Sequence, residues 1–127
     1  MASLTKADVV AFVSSTDLER SRRFFDEVLG LSIVEMTPFA CVARGGNATI
    51  RITAVERFVP QPFTVLGWTV DDIADTIAEL TGLGVRFLRY DGMDQSIDGV
   101  WTSPSGAKIA WFPDPDGNVL SLTEFVR

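Results

Sequence analysis

The chain contains no histidine and a single cysteine among its 127 residues. Histidine is the usual general base near neutral pH and a frequent ligand of transition metals, so its absence removes the commonest residue for both tasks. The lone Cys41 excludes an internal disulfide framework and fits a reducing compartment such as the cytoplasm. Long apolar runs are also missing, because residues 9–13 are too few for a signal peptide or a membrane span. We therefore expect a cytoplasmic protein.

Positive charge is scarce as well. Eleven Lys and Arg residues stand against 17 Asp and Glu residues, which gives a net charge of −6. This surplus disfavours nucleic acid and anionic membranes as partners and permits a cationic ligand, although solubility alone accounts for it. Hydrophobic residues make up 46% of the chain. That fraction in a chain of this length predicts one globular domain with a proper core.

The first half of the chain predicts a strand, a helix and three more strands. Residues 8–15 form an apolar run typical of a buried strand. Thr16 and Glu19 fit a capping box that starts a helix, which ends near Leu29 with Gly30 as a left-handed cap. The remaining strands are predicted from their apolar and β-branched residues. They span residues 31–36, 39–43 and 48–53, with a hairpin turn over 44–47.

The second half repeats this pattern after a break. Two prolines in residues 55–62 predict a linker between a module at about 8–54 and a module at about 63–127. In the second module, Asp71 or Asp72 caps a helix that Gly82 or Gly84 ends. The predicted strands of this module span residues 63–70, 85–90, 100–103, 107–112 and 119–123.

Short motifs echo between the two halves. Asp17-Leu18 corresponds to Asp72-Ile73, and Gly30 corresponds to Gly84. A repeat at this spacing indicates a duplicated unit of one strand, one helix and three strands. We therefore predict an α+β fold of two paired βαβββ modules, each a curved sheet with an outer helix, around a cavity.

The ordered motifs resemble those of the vicinal oxygen chelate superfamily. This superfamily contains glyoxalase I, the bleomycin resistance proteins, fosfomycin resistance enzymes and extradiol dioxygenases. The resemblance rests on residues 16–21 (TDLERS), Phe24-Phe25, residues 29–31 (LGL), residues 70–73 (VDDI) and the turn 114–118 (DPDGN). It implies paired βαβββ modules, usually in a homodimer.

Enzymes of that superfamily hold a divalent metal through His or Gln on the first strand of each module and Glu or His on the last. Counting from the motifs places these positions at Val10 (Val9 with one inserted residue), Arg51, Val65 and Ser121. Two aliphatic side chains, a cation and a hydroxyl are unsuited to a divalent metal. Glu124 is near, but strand alternation places it on the other face from Ser121. We therefore expect no metal and no cofactor.

Arg51 is the most informative of these positions. If alternation holds, it points to the same side as Thr49 and Thr53, where a cation could bind a carboxylate or phosphate. A structural ion pair or a solvent-exposed position accounts for it equally well. Cys41 is better explained as a small core residue than as a nucleophile. The full set of predicted ligand-binding residues is Val10, Phe12, Phe39, Cys41, Arg51, Val65, Trp101, Trp111 and Ser121.

Three functions remain open at this point. The first is a metal-free protein, similar to the bleomycin resistance group, that binds or sequesters a small organic ligand in a hydrophobic cleft. The second is a glyoxalase- or dioxygenase-type enzyme with an atypical or metal-free site. The third is a non-catalytic interaction module whose cavity is filled. The sequence favours the first because the metal ligands are missing. The resemblance implies a homodimer, and the net charge of −6 disfavours nucleic acid and anionic membranes as partners.

Overall fold

The computed structural model describes residues 2–127 and divides into two compact units, Met1–Phe58 and Val59–Arg127. The boundary lies inside the proline-containing segment 55–62. We describe each unit by itself. Among residues 2–127, no helix combines the length and the apolar character needed to cross a membrane.

The first unit is a four-stranded sheet with one helical segment. The strand order is β1-β4-β3-β2, with β1 parallel to β4 and the other pairs antiparallel. The elements in chain order are β1 (Val9–Ser15), α1 (Leu18–Arg23), a π-helical segment (Phe24–Val28), β2 (Ser32–Met36), β3 (Ala40–Gly45) and β4 (Ala48–Ala54).

One face of this sheet packs under the helical segment. Helix α1 contacts β3 and β4. Alternation along the strands points every second side chain toward this face, and most of these side chains are buried. This first core contains Val13, Phe25, Cys41, Ala43, Ile50 and Ile52.

The second unit repeats the same architecture. Its strand order is β5-β8-β7-β6, with β5 parallel to β8 and the other pairs antiparallel. The elements are β5 (Thr64–Thr69), α2 (Ile73–Gly82), β6 (Trp101–Thr102), β7 (Lys108–Pro113) and β8 (Val119–Glu124). The identical order and direction of strands in both units confirm the predicted pair of βαβββ modules.

The second core lies between α2 and one face of this sheet. Helix α2 contacts β7 and β8 and buries Ile73, Ile77 and Leu80. From the sheet, Phe112 and Leu120 are fully buried. Trp68 stacks on Phe112 with a centroid separation of 6.5 Å and an interplanar angle of 18°. Trp68 therefore packs against the second core through Phe112.

The first helix differs from its predicted form at both ends. Asp17, not Thr16, is the N-cap, and its carboxylate accepts a hydrogen bond from the Arg20 backbone N–H at 3.1 Å. Glu19 does not complete a capping box, because it forms a 2.7 Å ion pair with Arg22. The α-helix ends at Arg23 and continues as the π-helical segment before Gly30 adopts a φ of 72°.

The predicted strand over residues 85–90 is wrong. These residues belong to no strand, although the Leu88 backbone N–H donates to the Trp111 carbonyl at 2.7 Å. The short β6 occupies the same edge of β7, where Trp101 pairs with Ile109. Segment 85–90 therefore contacts that edge of β7 through a single backbone hydrogen bond and not through a strand ladder. Three strands follow α2, as three strands follow the helical segment of the first unit.

Candidate functional site

The side of the first sheet that faces away from α1 carries a mixed set of apolar and basic residues. Strand pairing aligns Phe12, Arg51 and Val42 in one row and Val10, Thr49 and Arg44 in the next. Alternation places these side chains together, opposite the core residues Ile50 and Ile52. We call this set the first open face: Val10, Phe12, Val42, Arg44, Thr49 and Arg51.

Arg51 lies at the centre of the first open face, between the edge strand β1 and β3. Its side chain is half-buried, and it forms no hydrogen bond or ion pair with any of residues 2–127. Its neighbours Phe12 and Val10 are 65% and 52% exposed. A guanidinium partly removed from water beside exposed apolar surface can donate charge-assisted hydrogen bonds to an anion.

A carboxylate stands at the far edge of the same face. Glu35 on β2 pairs in register with Val42, so it lies two strands from Arg51 in the same row. It forms no ion pair with Arg51 or Arg44 among the described residues. The face therefore carries two positive charges and one negative charge, although the chain as a whole has a net charge of −6.

Two of the five predicted ligand-binding residues in the first unit, Phe39 and Cys41, are not part of this face. Cys41 is opposite Ile52, fully buried in the first core. Burial raises the pKa of its thiol, and the nearby Arg22 opposes that shift. The structure thus places Cys41 under the helical segment rather than with Arg51. Phe39 precedes β3 and is 74% exposed.

The second sheet also has a side that faces away from its helix. Pairing aligns Gly67, Ser121 and Trp111 in one row and Thr69, Thr123, Ile109 and Trp101 in the next. We call these seven residues the second open face. Trp101 and Trp111 have ring centroids 6.4 Å apart, and Tyr90 meets Trp111 edge-on at 5.5 Å. These three rings form an aromatic cluster at this edge of the sheet.

Ser121 on β8 lies between Gly67 on β5 and Trp111 on β7, which are its partners in the sheet. It is 8% exposed. A Cβ atom added at Gly67 would meet the Ser121 hydroxyl directly and its carbonyl oxygen at 3.2 Å. A side chain at position 67 would therefore crowd Ser121, a role of Gly67 that was not predicted from the sequence. The available signal was a glycine inside an otherwise β-forming run, which is typical of close backbone approach.

Val65 occupies an irregular position on β5. The pairing register shifts between Thr64 and Leu66, so Val65 has no ladder partner on β8. It is 41% exposed. Gly67, two residues further on, is the residue directly across from Ser121. A contribution of Val65 to binding stays a prediction.

Glu124 lies on the helix side of β8, as alternation predicts. Its Oε1 atom accepts a hydrogen bond from the Ile73 backbone N–H at 2.9 Å, which satisfies a free amide at the start of α2. Its Oε2 atom is 3.9 Å from the Lys108 ammonium. This carboxylate stabilises the helix terminus and faces away from Ser121.

The turn between β7 and β8 is organised by a buried carboxylate. Asp114 is 4% exposed and accepts hydrogen bonds from the Asp116 N–H, the Asn118 N–H and the Asn118 side-chain amide, each at 2.9 Å. Gly117 adopts a φ of 90°, a conformation that favours glycine. Burial raises the pKa of Asp114 against the opposing effect of these hydrogen bonds. The turn sets the register that brings Ser121 beside Trp111.

A model of the Glyoxalase/Bleomycin resistance protein/Dioxygenase superfamily matches residues 7–122. The chain belongs to this superfamily. Structures of similar fold include a putative glyoxalase family protein from Bacillus anthracis, with a TM-score of 0.77, 19% identity and coverage of 99% of this chain and 100% of the other. Lactoylglutathione lyase from Agrobacterium tumefaciens has a TM-score of 0.74, 17% identity and 96% coverage of both chains. A search of curated protein sequences found no match.

An antibiotic binding protein from Streptomyces sp. CB03234 has the same fold. The TM-score is 0.72 at 19% identity, with coverage of 98% of this chain and 100% of the other. At these identities the likeness shows the fold of this superfamily member and nothing about its ligand or reaction.

The positions that the superfamily resemblance assigns to metal ligands do not fit a divalent cation. They are held by Val10, Arg51, Val65 and Ser121, which together offer one neutral oxygen and one positive charge. Within residues 2–127, no group of three His, Cys, Asp or Glu side chains converges in a metal-binding arrangement. Glu124, the nearest carboxylate in sequence to Ser121, is engaged at the start of α2.

Proposed function

We propose that this superfamily member binds a small organic anion on the first open face without the help of a metal ion. One observation carries the proposal. Arg51 is half-buried, has no polar partner within the described chain, and lies beside the exposed side chains of Phe12 and Val10. The anionic group of the ligand is held by Arg51, and its apolar part covers Phe12 and Val10.

The energetics of a half-buried guanidinium support this assignment. Partial removal of a charge from water is unfavourable unless hydrogen bonds or an opposite charge compensate. A hydrogen bond to a charged group contributes about 1.5–3 kcal/mol. Burying the exposed ring of Phe12 adds a hydrophobic contribution, since each Å² of apolar surface removed from water is worth about 25 cal/mol. A carboxylate or sulfonate attached to an apolar body uses both features.

The aromatic side chains at the second open face are suited to binding a ligand with a flat ring system. Trp101, Trp111 and Tyr90 present aromatic surface next to Ser121, and such rings stack on flat ligands. An antibiotic binding protein has the same fold, which is consistent with a binding function. A homodimer, which the superfamily resemblance implies, stays part of the proposal.

The test is a titration with 8-anilinonaphthalene-1-sulfonate, an aromatic anion whose fluorescence rises in apolar surroundings. We expect saturable binding that is unchanged by a metal chelator. Arg51→Ala should weaken the Kd at least about tenfold, which corresponds to about 1.4 kcal/mol. Phe12→Ala should weaken it as well, because the apolar contact is lost.

Arg57→Ala is the matched control, because it removes one positive charge from an exposed position near the end of the first unit. It should leave the Kd within about twofold, a change of about 0.4 kcal/mol. Thermal unfolding of each variant checks the fold. Equal Kd values for wild type and Arg51→Ala would refute the role of Arg51. Loss of binding on chelation, with a stoichiometric metal in the purified protein, would refute metal independence.

A further inference from the structure

The second unit contains a pocket on the helix side of its sheet, away from the second open face. Its volume is about 360 Å³, and it lies between α2 and the chain from Val85 to Gly99. The volume falls within the range of about 300–1,000 Å³ typical of small-molecule sites. The apolar and small lining residues are Ile77, Thr81, Val85, Phe87, Ile97 and Gly99.

Two arginines and one aspartate complete the lining. Arg89 donates from Nη1 to the Ile97 carbonyl at 3.2 Å and from Nη2 to the Gln95 carbonyl at 3.3 Å. These acceptors are neutral dipoles, so the positive charge of Arg89 is not cancelled. Arg86 is exposed and has no hydrogen bond or ion pair in the described range 2–127. Asp98 accepts from the Ser96 hydroxyl and is not paired with either arginine. The pocket thus carries a net positive charge in an acidic protein.

The wall formed by residues 90–99 is held in place by Gln95. The Gln95 side chain accepts from the Tyr90 N–H at 2.7 Å and donates to the carbonyls of Leu88 at 3.1 Å and Gly99 at 2.8 Å. Gly99 has a φ of 96°, and the Ser96 N–H donates to the Val100 carbonyl at 2.8 Å. These bonds preform the wall, so a ligand does not have to order it first.

An exposed isoleucine marks the rim. Ile97 is 99% exposed, although it adjoins the apolar pocket floor formed by Ile77 and Val85. A bound apolar body would cover part of this side chain and remove it from water. The lining therefore combines apolar surface with cationic groups at one site, which is the pattern that recognises an amphipathic anion.

We propose that this pocket is a second binding site, which takes a small organic monoanion with an aliphatic or aromatic body, in particular a carboxylate. Arg86 and Arg89 hold the anionic group, and Ile77, Val85 and Ile97 contact the body. The site is independent of Arg51, because all its residues belong to the second unit and to the helix side of the sheet.

The probe is sodium octanoate, added to ¹⁵N-labelled full-length protein and followed by backbone amide chemical shifts. We expect saturable shifts at the amides of Thr81, Ile97 and Gly99. Arg86→Ala should raise the Kd about tenfold, a change equivalent to about 1.4 kcal/mol. The neutral analogue 1-octanol should also bind about tenfold more weakly, because it lacks the charge that the arginines hold.

Two further variants separate the pocket from non-specific effects. Thr81→Phe places a bulky side chain at an exposed position of α2 that lines the pocket, and it should abolish the shifts at Ile97 and Gly99. Arg57→Ala removes a positive charge in the first unit and should leave the Kd within about twofold. Arg89 is left unchanged, because its bonds to Gln95 and Ile97 support the wall.

Several results would overturn the proposal. One is the absence of saturable shifts at these amides up to the solubility limit of octanoate. Another is a Kd that stays within about twofold in both Arg86→Ala and Thr81→Phe. Equal binding of octanoate and 1-octanol would overturn the anionic part, since the arginines would then contribute nothing to recognition.

Discussion

Replacing the buried carboxylate of the closing turn should destabilise the second unit more than any change on its surface loops. In the wild type, Asp114 accepts three hydrogen bonds at 2.9 Å from Asp116 and Asn118. Asp114→Ala removes the side chain that accepts all three hydrogen bonds, at a position that is 4% exposed. The net value of each bond is about 1 kcal/mol, so the expected loss is about 3 kcal/mol.

Asp114→Asn should cost less, about 1 kcal/mol, because only part of the hydrogen bonding is lost. The remaining oxygen still accepts from the two backbone N–H groups. The new amide NH₂ replaces the oxygen that accepted from the Asn118 side chain, so that one bond is disrupted. The ranking wild type, Asp114→Asn, Asp114→Ala follows from the geometry alone.

The pKa of Asp114 adds a pH signature. Burial raises this pKa above the ordinary value of 3.8, so the folded state keeps the proton to higher pH than the unfolded chain does. Between the ordinary and the raised pKa the folded state binds more protons, and the contribution of this group to the free energy of unfolding falls as pH rises. Asp114→Asn lacks this contribution. The free-energy gap between wild type and Asp114→Asn should therefore change across this window, in the direction that disfavours the wild type at higher pH.

The assay is urea unfolding followed by tryptophan fluorescence, which reports on the second unit because Trp68, Trp101 and Trp111 all lie there. Asp91→Ala, at an exposed loop position, is the control and should change the free energy of unfolding by less than about 0.5 kcal/mol. A cost below about 1 kcal/mol for Asp114→Ala would refute the reasoning, because the loss of three buried hydrogen bonds should lower the free energy of unfolding by more than that.

Three further changes test other contacts. Glu124→Ala should lower the free energy of unfolding by about 1 kcal/mol in the same urea assay, because α2 loses the acceptor for its Ile73 N–H; no change would show that water replaces the carboxylate. Cys41 should react with a thiol reagent only after unfolding, because it is fully buried and burial raises its pKa; fast labelling of native protein would contradict this packing. Gly67→Ala should cost about 1–3 kcal/mol and clearly less in a Ser121→Ala background, where the hydroxyl that it meets is missing. Equal costs in both backgrounds would show that this contact is not the cause.

Local sequence features account for most of the fold. The repeated motifs at residues 17–18 and 72–73, the glycines Gly30 and Gly84, and the alternation of apolar residues were sufficient to predict two βαβββ modules. Alternation also predicted the face of Glu124 correctly. These features succeed because each depends on neighbours within a few residues, where propensity and side-chain direction are set by the chain itself.

Apart from the ends of the first helix, the failures concern pairing between distant segments. The apolar run 85–90 has strand composition, but the edge of β7 that it needs is shared with β6. The bulge at Val65 moves Gly67 opposite Ser121. The glycine indicates a close backbone approach, but it does not fix which residue of β8 lies opposite. Cys41 was predicted to face the ligand, but its neighbour Val42 occupies the first open face. Adjacent residues of a strand point to opposite sides of the sheet, so an error of one residue places a side chain on the wrong side.

The sequence by itself determined the superfamily, the module order and the unsuitability of the four predicted positions for a divalent metal. Each of these follows from residue identity in a fixed order along the chain. Tertiary structure decided which side chains share a face, that Arg51 meets no polar partner among the described residues, and that residues 85–99 form a pocket against α2. Those properties depend on strand register and on contacts between segments far apart in sequence, which no local pattern encodes.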